Sequence, residues 1–447
     1  MGIYVKVALR NLVQARRRSL LLSLALALVT MLLVFLMALS QGLTDNMVKT
    51  ATTLSAGHLN VNGWFKPSPG FSAPLITEAA ELRKVVEEVT PGLDFVIDRH
   101  HGWGKLISDT SSIVSSLNGI DPAQEGRFLE RIQLAPEREY KEGGGDAVEG
   151  DRSRIGQPGT ILLFAGQAKR LGVAVGDTIT ITTETLRGAA NSIDLTVAAV
   201  ARDLGMMSNW FTFVPKQAIQ EIYQLKDDTT GSLLVYLKDI REAEATRVKL
   251  GEALATRGYT VMDHENEPFF MKFEKLAGES WTGQRVDVTT WEDEGAFLKW
   301  TIAGFNGVSV FLIAVLMLII VVGIMNTMWM SVRERTSEVG TLRAIGMKKR
   351  RVLLLFVTEA ILLGLFATGV GSLLGGALAS ALDAAAIPIP WDAARVIMLS
   401  DTLHLAVDAG QLVRAILLFT FVTGVAALWP AARAARMRPV NAIQHVG

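Results

Sequence analysis

The chain has 447 residues, half of them apolar, and its 44 basic residues balance its 44 acidic residues. A mean hydropathy of +0.32 is high for a soluble protein and indicates membrane-spanning segments. The balanced charge neither indicates nor excludes nucleic acid, and we expect no nucleic-acid partner. Because the sequence contains no cysteine, disulfides, thiolate metal sites and cysteine nucleophiles are excluded.

The first apolar segment covers residues 19–41, and its uncharged part is long enough to cross a bilayer. A helix rises about 1.5 Å per residue, so about 20 apolar residues span a hydrocarbon core of about 30 Å. Arg16, Arg17 and Arg18 precede it as in a signal peptide, but the apolar run exceeds the roughly 7–15 residues typical of such peptides. We therefore predict an uncleaved anchor. Three further spans are predicted at residues 300–332, 352–382 and 415–432.

The distribution of basic residues predicts the orientation of these spans. Lysine and arginine are concentrated in residues 1–18, 333–351 and 433–447, whereas residues 383–414 contain more acidic than basic residues. Because basic segments remain in the cytoplasm, both termini are predicted inside and residues 42–299 outside. The predicted fold class is an α-helical membrane protein with four transmembrane helices, N-in/C-in, and a large α+β extracytoplasmic domain between helices 1 and 2.

The large loop mixes the period of strands with that of amphipathic helices. A glycine-rich, charged stretch at residues 141–158 is typical of a surface loop or linker. We predict two subdomains, a strand–helix–strand unit formed by the flanks and a strand-rich unit at residues 155–215. The predicted strands are residues 58–62, 112–119, 160–164, 178–183, 194–200, 233–237 and 259–262, and the predicted helices are residues 76–89 and 240–256.

The motifs of common enzymes are missing from this sequence. No G-x-x-x-x-G-K-[ST] occurs, so we expect no nucleotide-binding P-loop within these residues. His264 begins a His-Glu-x-x motif that lacks the second histidine of a zinc protease, and the adjacent His100 and His101 would point to opposite faces of a strand. Serines at residues 111–116 lack the context of a nucleophile elbow. We predict no catalytic residue and no metal site.

The basic segment between the second and third spans contains a short apolar stripe. Val339, Leu342, Ile345 and Gly346 recur at helical spacing, with charges at both ends. One interpretation is an interfacial helix that lies on anionic lipid. The other is a helix that docks into a groove on a cytoplasmic partner. Periodicity alone does not separate the two.

Three residues of the third span carry information about helix packing. Glu359 lies near the start of this span, and a carboxylate at mid-bilayer costs about 2.5–3.5 kcal/mol. We predict that it faces protein as a packing residue rather than acting as a proton carrier. Gly371 and Gly375 form a G-x-x-x-G pair, which allows two helices to approach closely in lipid.

Residues 325–360, MNTMWMSVRERTSEVGTLRAIGMKKRRVLLLFVTEA, closely resemble the signature of FtsX/MacB-like (type VII) ABC permeases. In that family a span ends in asparagine and is followed by a basic stretch, E-[IV]-G-x-L-R-A-x-G, and a span with an early glutamate. The C-terminal WPAARAARMRPVNAIQ is similar to the end of the family's sequences, and the motifs that begin at Gly57, Leu171 and Leu195 are similar to its periplasmic core domain. The matching positions are Asn326, Arg333, Glu338, Val339, Gly340, Leu342, Arg343, Ala344, Gly346 and Glu359, and then Pro430, Ala431, Arg433, Ala434, Pro439 and Ala442.

The resemblance implies a multi-pass protein of the inner (plasma) membrane whose large domain lies in the periplasm. Two permeases, identical or different, would pair and contact a separate ATP-binding subunit, which would bind the ATP and magnesium, so no cofactor is expected in this chain. Closure of that subunit would move the outer domains through the first two spans without a conventional channel. The residues that the resemblance assigns to ATPase coupling are Arg333, Glu338, Val339, Gly340, Leu342, Arg343, Ala344 and Gly346.

Within the family, the lack of a fused ATPase and the long segment at residues 383–414 resemble the lipoprotein-releasing subunits of the LolC/LolE type. The implied cargo is a lipoprotein that is extracted from the membrane and passed to a periplasmic carrier. The alternatives are a MacB-like efflux component that works with a periplasmic adaptor, and an FtsX-like transmitter that activates a cell-wall hydrolase without transport. An acyl cargo would need an apolar groove, for which the candidates, equally explained by dimer packing or lipid contact, are Val34, Phe35, Met37, Ala38, Phe305, Val308, Phe311 and Leu312.

The absence of cysteine makes the predicted orientation testable with single introduced thiols. Gly143→Cys, in the glycine-rich loop, should react with a membrane-impermeant maleimide added outside intact spheroplasts. Lys348→Cys, in a basic segment, is the control and should react only after the membrane is opened. If Gly143→Cys reacted only from the cytoplasmic side, the orientation would be wrong.

Overall fold

The computed structural model describes residues 6–8, 10, 16–68, 71–204, 208–391, 394–395, 398, 400 and 402–437. The chain divides into two compact units. The helical unit comprises residues 1–45, 302–388 and 402–447, and the α+β unit comprises residues 46–301 and 389–401. The predicted motif positions Pro439 and Ala442 lie outside the described residues.

The helices, in chain order, are α1 (Arg16–Leu54), α2 (Ala79–Val89), α3 (Gly126–Arg131), α4 (Glu137–Tyr140), α5 (Ala165–Leu171), α6 (Lys216–Tyr223), α7 (Ala243–Thr256), α8 (Lys272–Gly278), α9 (Trp291–Glu294), α10 (Ala296–Glu334), α11 (Thr336–Ala344), α12 (Lys349–Ala384) and α13 (Ala409–Arg436). The strands are β1 (Leu59–Ser68), β2 (Phe71–Ala73), β3 (Ile76–Thr77), β4 (Leu93–Ile107), β5 (Ser112–Ile120), β6 (Thr160–Phe164), β7 (Thr178–Glu184), β8 (Ala190–Ala201), β9 (Phe211–Pro215), β10 (Thr229–Thr230), β11 (Ser232–Leu237) and β12 (Gly283–Thr290).

Within the described part of the chain, four helices are long and apolar enough to cross a membrane, namely α1, α10, α12 and α13. Each begins before and ends after the apolar run that predicted it, because hydropathy marks the lipid-facing length and not the whole helix. The extension is largest in α1, which continues through polar residues to Leu54. The large α+β domain that was predicted after the first span is also present.

Small residues bring the helices of the helical unit into close contact. A side-chain carbon at Gly371 of α12 would lie 2.4 Å from the carbonyl oxygen of Ala27 in α1, and one at Gly375 would lie 2.8 Å from that of Met31. The backbones of α1 and α12 therefore touch at these positions, which no larger residue allows. Gly364 of α12 makes a similar approach to α13, where its nearest neighbour is Thr423.

The α+β unit is built on a mixed sheet whose described strands run in the order β12-β1-β11-β4-β5-β9-β6-β8-β7, with β2 added to the edge of β1. Strand β4 joins the two parts of this sheet. Its residues 93–99 pair with β11, and its residues 100–107 pair with β5. The predicted flank and central subdomains therefore share one continuous strand.

The two faces of the flank part of the sheet differ in composition. One face carries Leu59 and Val61 of β1 with Leu233 and Val235 of β11, and it packs on α2 and α7 as an apolar core. Because side chains alternate along a strand, the intervening residues point to the opposite face. That face carries polar residues that are nonetheless buried, among them Asn60, Asn62, Lys66, Arg99, Ser232, Asp287 and Thr289.

Six of the seven predicted strands are confirmed, but six strands among the described residues were missed and one prediction is wrong. The strand predicted at residues 259–262 forms only an isolated bridge between Val261 and Val286. The helix predicted at residues 76–89 begins at Ala79, because Ile76 and Thr77 pair with β10 instead. The missed strands are the long β4, β9 and β12 and the short β2, β3 and β10.

The glycine contacts predict opposite effects for the same substitution at two nearby positions. Gly371→Ala should lower the stability of the protein by about 1–3 kcal/mol, because its methyl group would overpack against the backbone of α1. Gly369→Ala is the control, since nothing lies within 4 Å of its added carbon. It should be neutral or stabilise by up to about 1 kcal/mol. Thermal unfolding of the full chain in detergent measures both, and equal shifts would contradict the contact.

Candidate functional site

The segment predicted to couple to an ATPase contains the nine-residue helix α11, which lies between α10 and α12. It is shorter than the predicted helix over residues 333–351, because α10 continues to Glu334 and α12 already begins at Lys349. Of the predicted coupling residues, Val339 and Gly340 are buried, and Leu342 and Arg343 are half-buried. The exposed ones are Arg333, Glu338, Ala344 and Gly346.

Val339 is part of the apolar core of the helical unit, together with Val352 and Phe356. It therefore seats α11 on the bundle, and the exposed side presents Glu338 and the neighbouring Ile345, whose side chain is 81% exposed. An exposed isoleucine beside an exposed carboxylate is a surface that a protein partner or a lipid headgroup region can cover.

Gly346 ends α11 in a way that requires glycine. Its φ is +100°, in the left-handed region that favours glycine. The amide of Met347 donates to the carbonyl of Leu342 at 3.0 Å, and the amide of Gly346 donates to the carbonyl of Arg343 at 3.1 Å. These two bonds form a Schellman motif, which satisfies the last carbonyl groups of a helix. Gly346 thus fixes the direction in which the chain leaves α11.

The start of α11 is tied to α12 by an ion pair. The Nη1 atom of Arg335 lies 2.9 Å and 3.2 Å from the two carboxylate oxygens of Glu359, which is 7% exposed. A buried carboxylate needs such a partner, since an unpaired charge away from water is costly. Glu359, which was predicted to face protein, therefore contacts Arg335 and fixes the start of α11.

The predicted cargo-groove residues do not form one surface. Val34 is 3% exposed and packs on Gly375, and Ala38 is 2% exposed and packs with Ala379. These two residues of α1 face α12, so they do not line an open groove in this chain. On α10, Val308 and Phe311 are 59% and 66% exposed. Leu312 is 39% exposed, and Phe35, Met37 and Phe305 are half-buried.

A buried arginine that sequence reasoning missed fixes the end of α1 within the α+β unit. Arg99 of β4 donates from Nε to Glu125 at 2.5 Å and from Nη2 to the same carboxylate at 2.8 Å. It also donates to the backbone carbonyls of Leu54 at 2.7 Å and Thr53 at 3.0 Å. These are among the last carbonyls of α1, which have no partner within the helix. We name the interaction of Arg99, Glu125 and these two carbonyls the arginine clamp.

The electrostatics of the clamp depend on its burial, because the side chains of Arg99 and Glu125 are 0% and 1% exposed. Burial alone would lower the pKa of Arg99, but the adjacent Glu125 carboxylate outweighs it and raises that pKa above its usual value. The guanidinium therefore stays charged. Its positive charge at the C-terminal end of α1 also complements the helix dipole. Tyr236 adds a hydrogen bond from its hydroxyl to the carbonyl of Thr52 at 2.7 Å.

The chain just before α10 is also fixed by hydrogen bonds within the α+β unit. Just before it, the hydroxyl of Thr290 and the carboxylate of Asp293 form a capping box at the start of α9. Thr290 is the last residue of β12, and it lies opposite Leu59, the first residue of β1. The strand that follows α1 and the strand that leads to α10 are therefore hydrogen-bonded neighbours over residues 59–66 and 283–290.

The described residues contain no cluster of histidine, cysteine, aspartate or glutamate side chains that could bind a metal ion. His264 lies 3.0 Å from Asn266 and 3.9 Å from Asp293. His101 is engaged by Asn118 and Ser232. These contacts engage His101 and His264, whereas His100 is buried at 1% exposed.

Comparison with known proteins places this architecture in a family. Residues 19–253 match the model of the MacB-like periplasmic core domain, and residues 310–439 match that of the FtsX-like permease C-terminal domain. The fold defines a membrane protein with an α+β domain inserted between its first two long apolar helices. The chain belongs to the FtsX/MacB-like family of ABC transporter permeases.

Similar sequences come from archaea and bacteria. An uncharacterized ABC transporter permease of Methanocaldococcus jannaschii is 33% identical over 132 residues, which cover 29% of this chain and 31% of that protein. The macrolide export ATP-binding/permease protein MacB of Chlorobium luteolum is 36% identical over 131 residues, covering 28% of this chain and 16% of that protein. The chain thus spans less than a third of the length of each of these relatives. The crystal structure of the periplasmic region of MacB from Actinobacillus actinomycetemcomitans is 13% identical and covers 55% of this chain and 94% of that chain, with a TM-score of 0.29.

The arginine clamp predicts a large and specific loss of stability. Arg99→Met should destabilise the protein by about 3–5 kcal/mol, because it leaves a buried carboxylate and two helix carbonyls without their partner. Arg241→Met is the matched control, since Arg241 is 87% exposed and pairs with Asp239 at the surface. Removing that solvent-exposed pair should leave the stability of the protein nearly unchanged. Denaturant unfolding of the full chain, followed by tryptophan fluorescence, measures both, and a small effect of Arg99→Met would refute the clamp.

Proposed function

We propose that this chain is a non-catalytic membrane subunit that couples ATP hydrolysis by a separate ATP-binding subunit to movement of its α+β domain. The observation that carries the proposal is α11, a short helix that is seated on the bundle by Val339 and closed by Gly346, with Glu338 and Ile345 exposed. The sequence contains no P-loop motif, so ATP and magnesium would be bound by the partner.

The route of coupling follows from the two helices that enter the α+β unit. An inward push on α11 would reach α12 through Arg335 and Glu359 and would reach α1 through the glycine contacts of α12. At its other end α1 terminates in the arginine clamp, so displacement of the helix would be passed to β4. Helix α10 would deliver its motion to β12 and thereby to the adjacent β1.

The orientation proposed for this mechanism places α11 and both termini in the cytoplasm of a cell with the α+β domain outside its inner (plasma) membrane. The basic residues around α11 support it through the positive-inside rule. A second permease copy, identical or different, is also proposed. Its support is the apolar surface of α10, where Val310, Phe311 and Leu318 are 64–66% exposed in the single chain and must be covered by lipid or protein.

We propose an amphipathic envelope molecule as the cargo, with a lipoprotein that is released to a periplasmic carrier as the first candidate. The long segment at residues 383–414 supports this branch of the family. The MacB-like alternative, efflux through a periplasmic adaptor, has equal standing, because a MacB-like periplasmic core model matches the chain and one matched relative is named for macrolide export. Mass spectrometry of the purified complex discriminates the candidates by whether acylated protein, an adaptor or a cell-wall hydrolase is retained.

The coupling role predicts that Glu338→Arg reduces ATP turnover of the reconstituted complex at least about tenfold, which corresponds to ~1.4 kcal/mol of lost interaction. The reason is that reversing an exposed charge at a docking surface places like charges together. Glu142→Arg, in an exposed loop of the α+β unit, is the control and should leave turnover unchanged. Both variants should unfold like the parent chain, and normal turnover with Glu338→Arg would contradict the proposal.

A further inference from the structure

A cavity in the α+β unit borders the last turns of α1, next to the arginine clamp. Its volume is about 540 Å³. Small-molecule sites typically have about 300–1,000 Å³, so the space is large enough for a ligand. Helix α1 contributes Lys49 and Thr53 to the lining. Helix α3 contributes Arg127 and Arg131.

Arg131 is a half-buried guanidinium without a carboxylate partner among the described residues. Its Nη2 atom donates to Oδ1 of Asn46 and to the hydroxyl of Thr50, each at 2.7 Å. Both of these partners are neutral, and Arg131 forms no ion pair with a described residue. Burial therefore lowers the pKa of Arg131, with no anion to offset it. A cation that is partly removed from water in this way gains stability from an anionic partner.

Two fully buried cations of the same unit show the usual arrangement. Arg99 pairs with Glu125, and Lys272 pairs with Asp287 at 2.7 Å. In both cases the chain itself supplies the counter-ion. The space beside Arg131 is instead an open cavity, so a counter-ion there would have to come from a ligand.

Two further cations lie close to Arg131. Lys49 is adjacent in α1 to one of the residues that Arg131 contacts, and its exposed side chain forms no ion pair with a described residue. Arg127 precedes Arg131 by four residues in α3, and such residues lie on the same face of a helix. Its side chain is 63% exposed and pairs with Asp94 at 3.0 Å. Because a guanidinium has five N–H donors, Arg127 keeps donors for a ligand.

The neighbouring carboxylates are mostly occupied. Glu125 is 1% exposed and paired with Arg99, and Asp94 is paired with Arg127. The imidazole of His58, which also lines the cavity, adds no charge at neutral pH, because burial lowers its pKa.

Three charged side chains of the lining form no ion pair with a described residue. Lys49 and Arg131 are positive, and the exposed Glu130 is negative. Two cations against one carboxylate leave an excess of one positive charge. The cavity therefore favours an anion.

We propose that this cavity binds the phosphoryl group of a phosphate ester between Lys49 of α1 and the arginines of α3, Arg127 and Arg131. A phosphoryl group suits this set of donors, because its oxygens accept from several cations at once and match the geometry of guanidinium groups. The organic part of the ester would lie beside Phe95 and Tyr236, whose stacked rings line the cavity with centroids 4.4 Å apart. The bound group would join the last turns of α1 to α3 and so reinforce the attachment of α1.

Binding can be measured with glycerol 3-phosphate and with phosphatidic acid, which carries the same headgroup on two acyl chains. Native mass spectrometry of the full chain in a nonionic detergent counts the ligands bound as their concentration is raised. Diacylglycerol, which lacks the phosphate, gives the background. We expect saturable binding above this background. Binding of both phosphate ligands would identify soluble esters as sufficient, and binding of phosphatidic acid alone would identify a lipid headgroup.

Two substitutions of exposed side chains should have opposite effects. Lys49→Gln should weaken binding of the phosphate ligand about fivefold, because it removes a charge-assisted contact. Glu130→Gln should tighten binding about twofold, because it removes a like charge from the lining. Lys169→Gln, which changes an exposed lysine of α5 away from the cavity, is the matched control and should bind like the parent chain.

Two results would overturn the proposal. One is the absence of saturable binding of either phosphate ligand above the diacylglycerol background. The other is binding by Lys49→Gln and Glu130→Gln that equals binding by Lys169→Gln, since the phosphate would then be held elsewhere, as by the basic residues 333–351. The opposite signs expected for the two exposed substitutions separate a local effect from misfolding, which would weaken binding in both.

Discussion

The attachment of α1 within the α+β unit depends on a buried charge, the guanidinium of Arg99. A buried arginine is stable only when its donors are satisfied, and here a carboxylate and two helix carbonyls satisfy them. The same contacts satisfy carbonyls at the end of α1 that would otherwise lack partners. The strand, the carboxylate of Glu125 and the helix end therefore fix one another, and none of the three can be displaced without exposing a buried charge or an unpaired carbonyl.

Because of these hydrogen bonds, the last turns of α1 are fixed to strands of the sheet. Its last turns are bound by Arg99 and Tyr236, and β1 begins within a few residues of its end. The pairing of β1 with β12 then brings the chain back to α10. In the proposed mechanism, force from either helix would enter the sheet through these adjacent, hydrogen-bonded strands, and this pairing is the physical basis for proposing a permease that works by moving its α+β domain.

The sequence predicted the features whose signal is local. The four apolar helices follow from hydropathy, and strands such as β6 follow from short apolar runs. Strand β4 was missed because LDFVIDRHHGWGKLI is charged and rich in glycine, which hides the alternation of buried residues. The clamp was beyond prediction, since Arg99 meets the end of α1 and Glu125 only after the sheet has formed. Val34 and Ala38 show the same limit, because an apolar residue in a span gives no indication of which neighbour it faces.

The continuity of β4 determines how the α+β unit can respond to such forces. One fifteen-residue strand carries the pairing with β11 and then the pairing with β5, so the flank and central parts have no flexible joint between them along this line. A twist that begins at β1 and β12 must travel through β11 into β4 and onward to the far strands. In the proposed mechanism, the flank and central parts of the α+β unit would therefore move together rather than hinge against each other.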